Sequence, residues 1–380
     1  MITIDDGFKN RANSKRIECL MKTAELIAAD TSRWFAIFRG FFQDGCERIL
    51  KLQDESALSA ISSLEYTMLY NNFINRRYVA DLFVYDEKFY LDTTQRFISS
   101  YDFSDLFVYF DRLWDDLLVL RKRYAGKVSA RDVTEFMLQT LTDFYSFLRG
   151  IARFAVADCT DISPFINIDK CEKFTVNVGD YMAETHTVYT EWKNKDKLAK
   201  WINSYFEDEC VFGDYSGLDF SGRDLSQIDI RYTQFRGSTL KDTDFYGSIL
   251  NGVNFHSANM EGCYLEECSI LESDFSYANL KNASLMFAEP EILTAEEEPS
   301  VSKLLPARFR YADLTDADLN GANLAGADFT EANLTGADFT GANLTGADFT
   351  GATLDGTVFT DALLDDAILD NGFPKPHFPG

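Results

Sequence analysis

The stretch that decides the fold is residues 322–354, which read ANLAGADFTEANLTGADFTGANLTGADFTGATL. A large apolar residue, Leu or Phe, occupies every fifth position, and an alanine stands two residues before each one. A period of five fits neither the 3.6-residue period of an α-helix nor the two-residue period of an ordinary β-strand. The pattern therefore indicates a stacked array of short units.

The same period covers most of the C-terminal half. It runs without a break through fourteen units from Phe220 to Leu285 and through thirteen more from Phe309 to Leu369. If five residues form one side of a square coil, four pentapeptides close a turn of about twenty residues, and parallel ladders join successive turns. The large residue and the small residue two places before it then point inward. The count predicts a β-solenoid of about seven coils over residues 213–370.

The frame is lost between Leu285 and Phe309. The segment at about residues 287–303 contains two prolines and five glutamates, and proline cannot donate to a β-ladder. We expect an acidic loop that leaves the coil, or alternatively a surface insertion that the solenoid merely tolerates. The candidate partner-binding residues of this loop are Glu291, Glu296, Glu297 and Glu298.

The run from Ala322 to Leu354 resembles the A-(D/N)-L-x-x signature of the pentapeptide-repeat family, and the resemblance extends over about residues 215–370. It implies a right-handed quadrilateral parallel β-helix. It does not fix an activity, because the family includes topoisomerase-protecting proteins, secreted effectors and many uncharacterised members.

Negative charge is concentrated in the repeats. The chain carries a formal charge of -25, and residues 213–380 contribute 28 acidic against 9 basic side chains, whereas residues 1–212 contribute 33 against 27. This acidity argues against direct binding to nucleic acid or to an anionic membrane, since both require a basic surface.

Two pairs of aspartates lie twenty residues apart, so each pair is expected to stack one coil above the other. Asp328 and Asp348 form one pair, and Asp318 and Asp338 form the other on the opposite face. A short polar side chain that bonds nearby backbone at a corner explains such residues structurally. Alternatively, as the resemblance to members that protect DNA gyrase or topoisomerase IV implies, the carboxylates imitate a DNA phosphate backbone and bind the partner.

The two ends of the chain depart from those members. The tail, residues 371–380, is rich in proline and cannot form the C-terminal helix through which they usually dimerise. We expect Phe373 and Phe378 to cap the last coil instead. The simple resistance proteins are also nearly all repeat, whereas 212 residues precede the repeats here.

Residues 1–212 are predicted to form a bundle of six or seven helices that caps the solenoid. Apolar stripes at helical spacing run over 107–120 and 133–151, and Ser129 followed by Asp132 is a helix start close to a capping box. A further helix is predicted over 191–205. The extended segment 166–180 is predicted to be a small hairpin or a long loop.

No constellation of catalytic residues is visible. Asp111, Asp115 and Asp116 superficially resemble the aspartate-rich metal site of terpene synthases, but no second metal-binding motif accompanies them. The three histidines are far apart, and the seven cysteines show no metal-site spacing or disulfide framework. With no signal peptide and no transmembrane stretch in the sequence, we predict a cytoplasmic protein that is not an enzyme and uses no cofactor or metal.

The sequence thus favours a non-catalytic protein-binding or scaffold protein, with a helical recognition domain and an acidic rod. The alternative is a DNA mimic that protects or inhibits DNA gyrase or topoisomerase IV and confers resistance or self-immunity.

Overall fold

The computed structural model describes residues 5–86, 96–124, 126–180, 185–194, 212–289 and 306–369. These residues form two compact units, one of residues up to Lys193 and one of residues from 212 onward. The predicted boundary between 212 and 213 stays a prediction, as does the capping of the solenoid by the first unit.

The N-terminal unit combines helices with a five-stranded sheet. Its long helices are α1 (Asp6–Ala28), α2 (Thr31–Asp54), α4 (Val108–Arg121) and α5 (Ala130–Ala157), and its short ones are α3 (Tyr70–Ile74) and α6 (Ser163–Asn167). Its strands are β1 (Ile61–Met68), β2 (Val79–Asp86), β3 (Arg96–Asp102), β4 (Lys170–Asp180) and β5 (Thr185–Trp192). The strand order is β3-β2-β1-β4-β5, in which only β1 and β4 pair in parallel.

The prediction of an all-helical bundle is therefore wrong. The segment 166–180 is by itself neither a hairpin nor a loop, because it begins in the last residues of α6 and most of it is the single strand β4, which pairs with β1 on one side and β5 on the other. The helix predicted over 191–205 is also wrong at its start, since Glu191 and Trp192 end strand β5. The residues 195–205 lie outside the described part of the chain.

Aromatic residues fill the interface between the helices and the sheet. Tyr66 on β1 is fully buried, with ring centroids 5.0 Å from Phe38, 5.1 Å from Phe41 and 6.5 Å from Phe42 of α2. Tyr78 stacks on Phe107 at 4.3 Å. These rings form the core of the N-terminal unit, where each buries a large apolar area.

The C-terminal unit is a β-solenoid with the predicted inward positions. Parallel bridges join residues twenty positions apart, as between Asp318 and Asp338, so four pentapeptides separate bridged partners. The large residues and the small residues before them are buried, and stacked rings such as Phe309 and Phe329 (4.9 Å) run along the interior. The quadrilateral form, the right-handedness and the number of coils stay predictions.

The ladder of parallel bridges continues across the interruption. Asp274, Asn279 and Ser284 are bridged not to residues twenty but to residues thirty-four positions later, the last of these being Asp318. Fourteen extra residues are therefore accommodated between two consecutive coils. The acidic loop was predicted at about 287–303, but Phe287 and Glu289 still belong to the ladder. The segment 290–305, which holds the rest of the predicted loop, lies outside the described residues, as does the predicted capping tail.

Candidate partner-binding surface

The repeat fixes the backbone around each candidate aspartate. The residue before the large apolar one joins the parallel bridges, and where it is Asp or Asn its side chain usually accepts a hydrogen bond from the backbone N–H two residues later. The Oδ1 atom of Asp338 accepts hydrogen bonds from Thr340 N at 2.9 Å and from Thr340 Oγ1 at 2.5 Å. Asp348 makes the same two contacts with Thr350. The structural role predicted for these residues is thus present, and it uses one carboxylate oxygen.

An asparagine performs the same structural role. Asn343 Oδ1 accepts from Thr345 N and Oγ1, and its Nδ2 also donates to Asn323 of the preceding coil at 3.0 Å. A carboxylate has no donor for this bond between coils. Where Asp338 follows Asp318 and Asp348 follows Asp328, the side-chain ladder is replaced by like charges on adjacent coils, which repel one another.

Positive charge ends abruptly along the solenoid. Arg308 pairs with Asp274 at 3.0 Å, and Arg310 lies 3.6 Å from Asp328. From 311 to 369 the sequence has eleven Asp or Glu residues and no Lys, Arg or His. Within the described residues, no ion pair reaches Asp318, Asp338 or Asp348.

Hydrogen bonds keep several carboxyl groups of the solenoid ionised. Ser221 donates to Asp219 and Ser226 donates to Asp224, and these bonds lower the pKa of each carboxyl group. Partial burial of Asp313 opposes ionisation, but hydrogen bonds from Thr315 and the pair with Lys281 outweigh it, so the Asp313 pKa is also lowered.

The loop glutamates cannot be placed on this surface. Glu291, Glu296, Glu297 and Glu298 lie outside the described residues, so their part in partner binding stays a prediction.

Sequence reasoning missed a second feature of the surface, a set of exposed aromatic side chains at outward positions of the repeat. Tyr246, Tyr264 and Phe287 lie in three successive coils on one side. The sequence contained the signal for this feature, because these aromatic residues occupy repeat positions that Asp, Asn, Ser or Gly usually fill.

The acidic motif of the N-terminal unit has internal partners. Asp111 accepts a hydrogen bond from Tyr78 at 2.5 Å, Asp115 pairs with Arg76 at 2.6 Å, and Asp116 pairs with Lys15 at 2.6 Å. The three carboxylates of α4 are therefore explained by a hydrogen bond and ion pairs with neighbouring segments of the N-terminal unit. Among the residues that the structure describes, no group of side chains is arranged to hold a metal ion.

A small cavity lies between α6 and the β4–β5 pair. Its volume is about 150 Å³, and Lys170, Cys171, Phe174 and Glu191 are among its lining residues. Lys170 is almost fully buried, with Nζ 2.8 Å from Glu191 Oε2 and 3.6 Å from the ring centroid of Phe165. This volume is well below the roughly 300–1,000 Å³ of typical small-molecule sites, so the buried pair is explained as part of the core.

No helix in the described ranges combines the length and the apolar character needed to cross a bilayer.

The bridges, the inward Leu and Phe residues and the Asx turns define a solenoid protein built from five-residue units. The model of the family "Pentapeptide repeats" matches in eight copies, over residues 219–256, 248–285, 307–346 and 342–372. The C-terminal region of this chain therefore carries pentapeptide repeats, as the sequence predicted.

Several solved structures are similar to this region. A pentapeptide repeat protein from the Arabidopsis thaliana thylakoid lumen is 25% identical over 37% of this chain and 73% of its own, with a TM-score of 0.18. HetL, involved in heterocyst differentiation regulation in Nostoc sp. strain PCC 7120, is 23% identical over 47% and 98% (TM-score 0.18). A trypsin-treated form of QnrB1, a plasmid-mediated fluoroquinolone resistance protein, is 19% identical over 41% and 77% (TM-score 0.20). No protein of curated function matches the chain.

Proposed function

We propose that this chain is a non-catalytic protein-binding protein whose C-terminal coils present an acidic surface to a basic surface of another protein. The observation that carries the proposal is the run from 311 to 369, with eleven acidic residues and no basic one. The predicted right-handed quadrilateral form of about seven coils is part of this proposal, since it would display the charges along a rigid rod.

The fold does not require these charges. At equivalent positions Asn333 and Asn343 make the same turn, and Asn343 adds a bond between coils that an aspartate cannot make. Stacked aspartates therefore cost stability relative to asparagines. A basic partner that neutralises them would offset this cost, which supports a role in recognition.

The proposal is tested with a fluorescent oligolysine peptide as the basic surface. The full chain is compared with a C-terminal variant that combines Asp318→Asn, Asp328→Asn, Asp338→Asn and Asp348→Asn. The matched control removes the same number of charges from the first coil, through Asp214→Asn, Asp219→Asn, Asp224→Asn and Asp229→Asn.

Anisotropy titrations at low salt should show about tenfold weaker binding for the C-terminal variant and a much smaller loss for the control, since exposed ion pairs contribute roughly 0.2–1 kcal/mol each. Arg231 already pairs with Asp229 at 2.7 Å, which reduces the charge available in the first coil. Equal losses in the two variants would show that only net charge matters and would reject the proposed surface.

The second candidate function is a DNA mimic that protects or inhibits DNA gyrase or topoisomerase IV. The stacking of Asp338 on Asp318 and of Asp348 on Asp328 favours it, because it repeats a carboxylate at the roughly 4.8 Å spacing of adjacent strands. The full chain is titrated into a gyrase supercoiling reaction, with and without a cleavage-stabilising drug. Inhibition, or relief of drug-induced cleavage, should be lost in the C-terminal variant and retained in the first-coil control.

A large excess of the chain without any effect on gyrase would reject this candidate for that enzyme and leave the oligolysine result untouched. The loop is tested in the same reaction by deleting the fourteen residues 290–303, which leaves Glu289 and its bridge to Ser269 in place, and, separately, by substituting alanine for Glu296, Glu297 and Glu298.

A further inference from the structure

One side of the solenoid combines exposed aromatic rings with carboxylates that form no ion pair with any described residue. Beyond the first coil, a single column of parallel bridges runs through Asp244, Tyr264, Ser284, Asp318 and Asp338. The corner that follows this column carries Tyr246, Glu266, Glu267, Met286 and Phe287. We call these residues together the aromatic–acidic strip.

The rings of the strip are accessible in three successive coils. Tyr246 is 39% exposed, Tyr264 50% and Phe287 52%. Tyr246 is held in place by a hydrogen bond from its hydroxyl to Glu267 Oε2 at 3.0 Å. Exposed aromatic residues on neighbouring coils form the kind of anchor that dominates protein–protein interfaces.

Phe287 occupies its position against a backbone preference. Its φ is 53°, in the left-handed region, where Gly247 and Gly321 stand at the same corner of other coils. A bulky side chain is disfavoured in this region. The ring lies over Gly321 of the next coil and still leaves half of its surface accessible. Packing over Gly321 therefore explains only one face of the Phe287 ring, and the other face remains exposed.

Charge distinguishes this strip from the second row of aspartates. The strip contains five acidic residues and no Lys, Arg or His, and none of these carboxylates has an ion pair among the described residues. Beside the column of Asp328 and Asp348, by contrast, stand Arg308 and Arg310, which neutralise part of it.

We propose that the aromatic–acidic strip is the docking site for a protein segment whose apolar side chains are flanked by lysine or arginine. The apolar side chains contact Tyr246, Tyr264 and Phe287, and the basic residues pair with the flanking carboxylates. This inference rests on the proposed function and narrows it, since it names the side of the solenoid that binds and the apolar part of the partner.

The probe is an amphipathic peptide of leucine and lysine, with oligolysine of equal charge as the reference. The test variant combines Tyr246→Ser, Tyr264→Ser and Phe287→Gly, because Ser226, Ser284 and Gly321 stand at the equivalent positions of other coils. The matched control, Tyr277→Gly with Tyr311→Gly, removes exposed stacked rings from a different corner, where Gly237 and Gly351 are the natural residues. Far-UV circular dichroism verifies that every variant is folded.

The test variant should bind the leucine–lysine peptide about tenfold more weakly than the unaltered chain, whereas the control should change affinity by less than about twofold. Oligolysine binding should be nearly unchanged in both. A test variant that binds the amphipathic peptide as well as the unaltered chain, or a control that loses equally, would overturn the inference. The proposed function would still stand in that case if oligolysine binding remained dependent on Asp318, Asp328, Asp338 and Asp348.

Discussion

At the scale of single residues, aspartate and asparagine make the same turn of the solenoid, and only aspartate adds a negative charge. Both side chains accept the backbone N–H two residues later, as Asp338 and Asn343 show. This role could be predicted from the sequence, because a short polar residue at a repeated corner is typical of such turns. The hydrogen bonds between asparagine side chains of adjacent coils could not be predicted, because they depend on which residues the bridges bring together.

Replacing Asp318, Asp328, Asp338 and Asp348 by asparagine should therefore leave the melting temperature of the chain unchanged or raise it. The gain should appear at low salt and shrink in about 1 M NaCl, because salt screens the repulsion that the substitutions remove. Thermal unfolding followed by circular dichroism at both salt concentrations measures this. A fall in melting temperature at low salt would show that the carboxylates stabilise the solenoid.

The cysteines of the solenoid interior should be unreactive. Burial raises the pKa of Cys263 and of Cys268 to about 12, so almost no thiolate is present near neutral pH. We expect neither residue to react with a disulfide reagent at about pH 8 until the chain is denatured, as measured by mass spectrometry of labelled peptides. Fast labelling of either thiol in the folded chain would contradict the packing described.

Serine is the matched substitution for these two cysteines. Cys263 Sγ lies 2.7 Å from the Leu240 carbonyl oxygen, and Ser238 Oγ donates to the Tyr215 carbonyl oxygen in the same way. Cys263→Ser should accordingly fold normally.

At the scale of helices and strands, long periodic segments could be predicted and short strands could not. The stripes at 107–120 and 133–151 correspond to α4, with its preceding 3₁₀ turn, and to α5. β1, β2 and β3 have seven or eight residues each, and their aromatic and β-branched residues also fit a helical core. Their pairing depends on distant segments, since the parallel partner of β1 is β4, which lies about a hundred residues later in the sequence.

The start of α5 gives a prediction with a defined pH dependence. Ser129 and Asp132 form a complete capping box, and the hydrogen bonds from Ser129 lower the pKa of Asp132. A lowered pKa in the folded state means that the stabilisation is present above the unfolded pKa and is lost as pH falls through the folded value. Asp132→Asn should thus destabilise the chain near neutral pH and have little effect in acid.

Ser129→Ala should cost about 1 kcal/mol, as the loss of a helix N-cap typically does. Three of the four tryptophans, Trp34, Trp114 and Trp192, lie in the N-terminal unit, so the change in tryptophan fluorescence during denaturant unfolding reports mainly on that unit. Equal stability of the unaltered and Asp132→Asn chains at neutral pH would show that the capping box contributes nothing.

At the scale of the whole molecule, the solenoid changes character towards its C-terminal end. Leu354, Phe359, Leu364 and Leu369 fill inward positions but are only half-buried. Outward positions, filled by Asp or Asn in most earlier coils, here hold the exposed Val358, Leu363 and Ile368. The five-residue repeat predicted the inward Leu and Phe residues. It did not predict the exposed apolar residues at the outward positions.

Removal of residues 371–380 tests whether the tail covers this end. If it does, the truncated chain should self-associate with rising concentration, as measured by light scattering, because the apolar edge is then uncovered. Adding Val358→Asp and Ile368→Asp should restore the monodispersity of the truncated chain. A truncated chain that scatters like the full one would mean that the tail is not the cap.

The central claim is that the carboxylates of residues 311–369 form the surface that meets a basic partner. Zero-length carbodiimide cross-linking of oligolysine to the full chain, followed by mass spectrometry, locates the carboxylates that contact lysine. We predict that the cross-links fall mainly on Asp318, Asp328, Asp338 and Asp348 and disappear at high salt. Cross-links confined to the N-terminal unit or to the first coil of the solenoid would contradict the account.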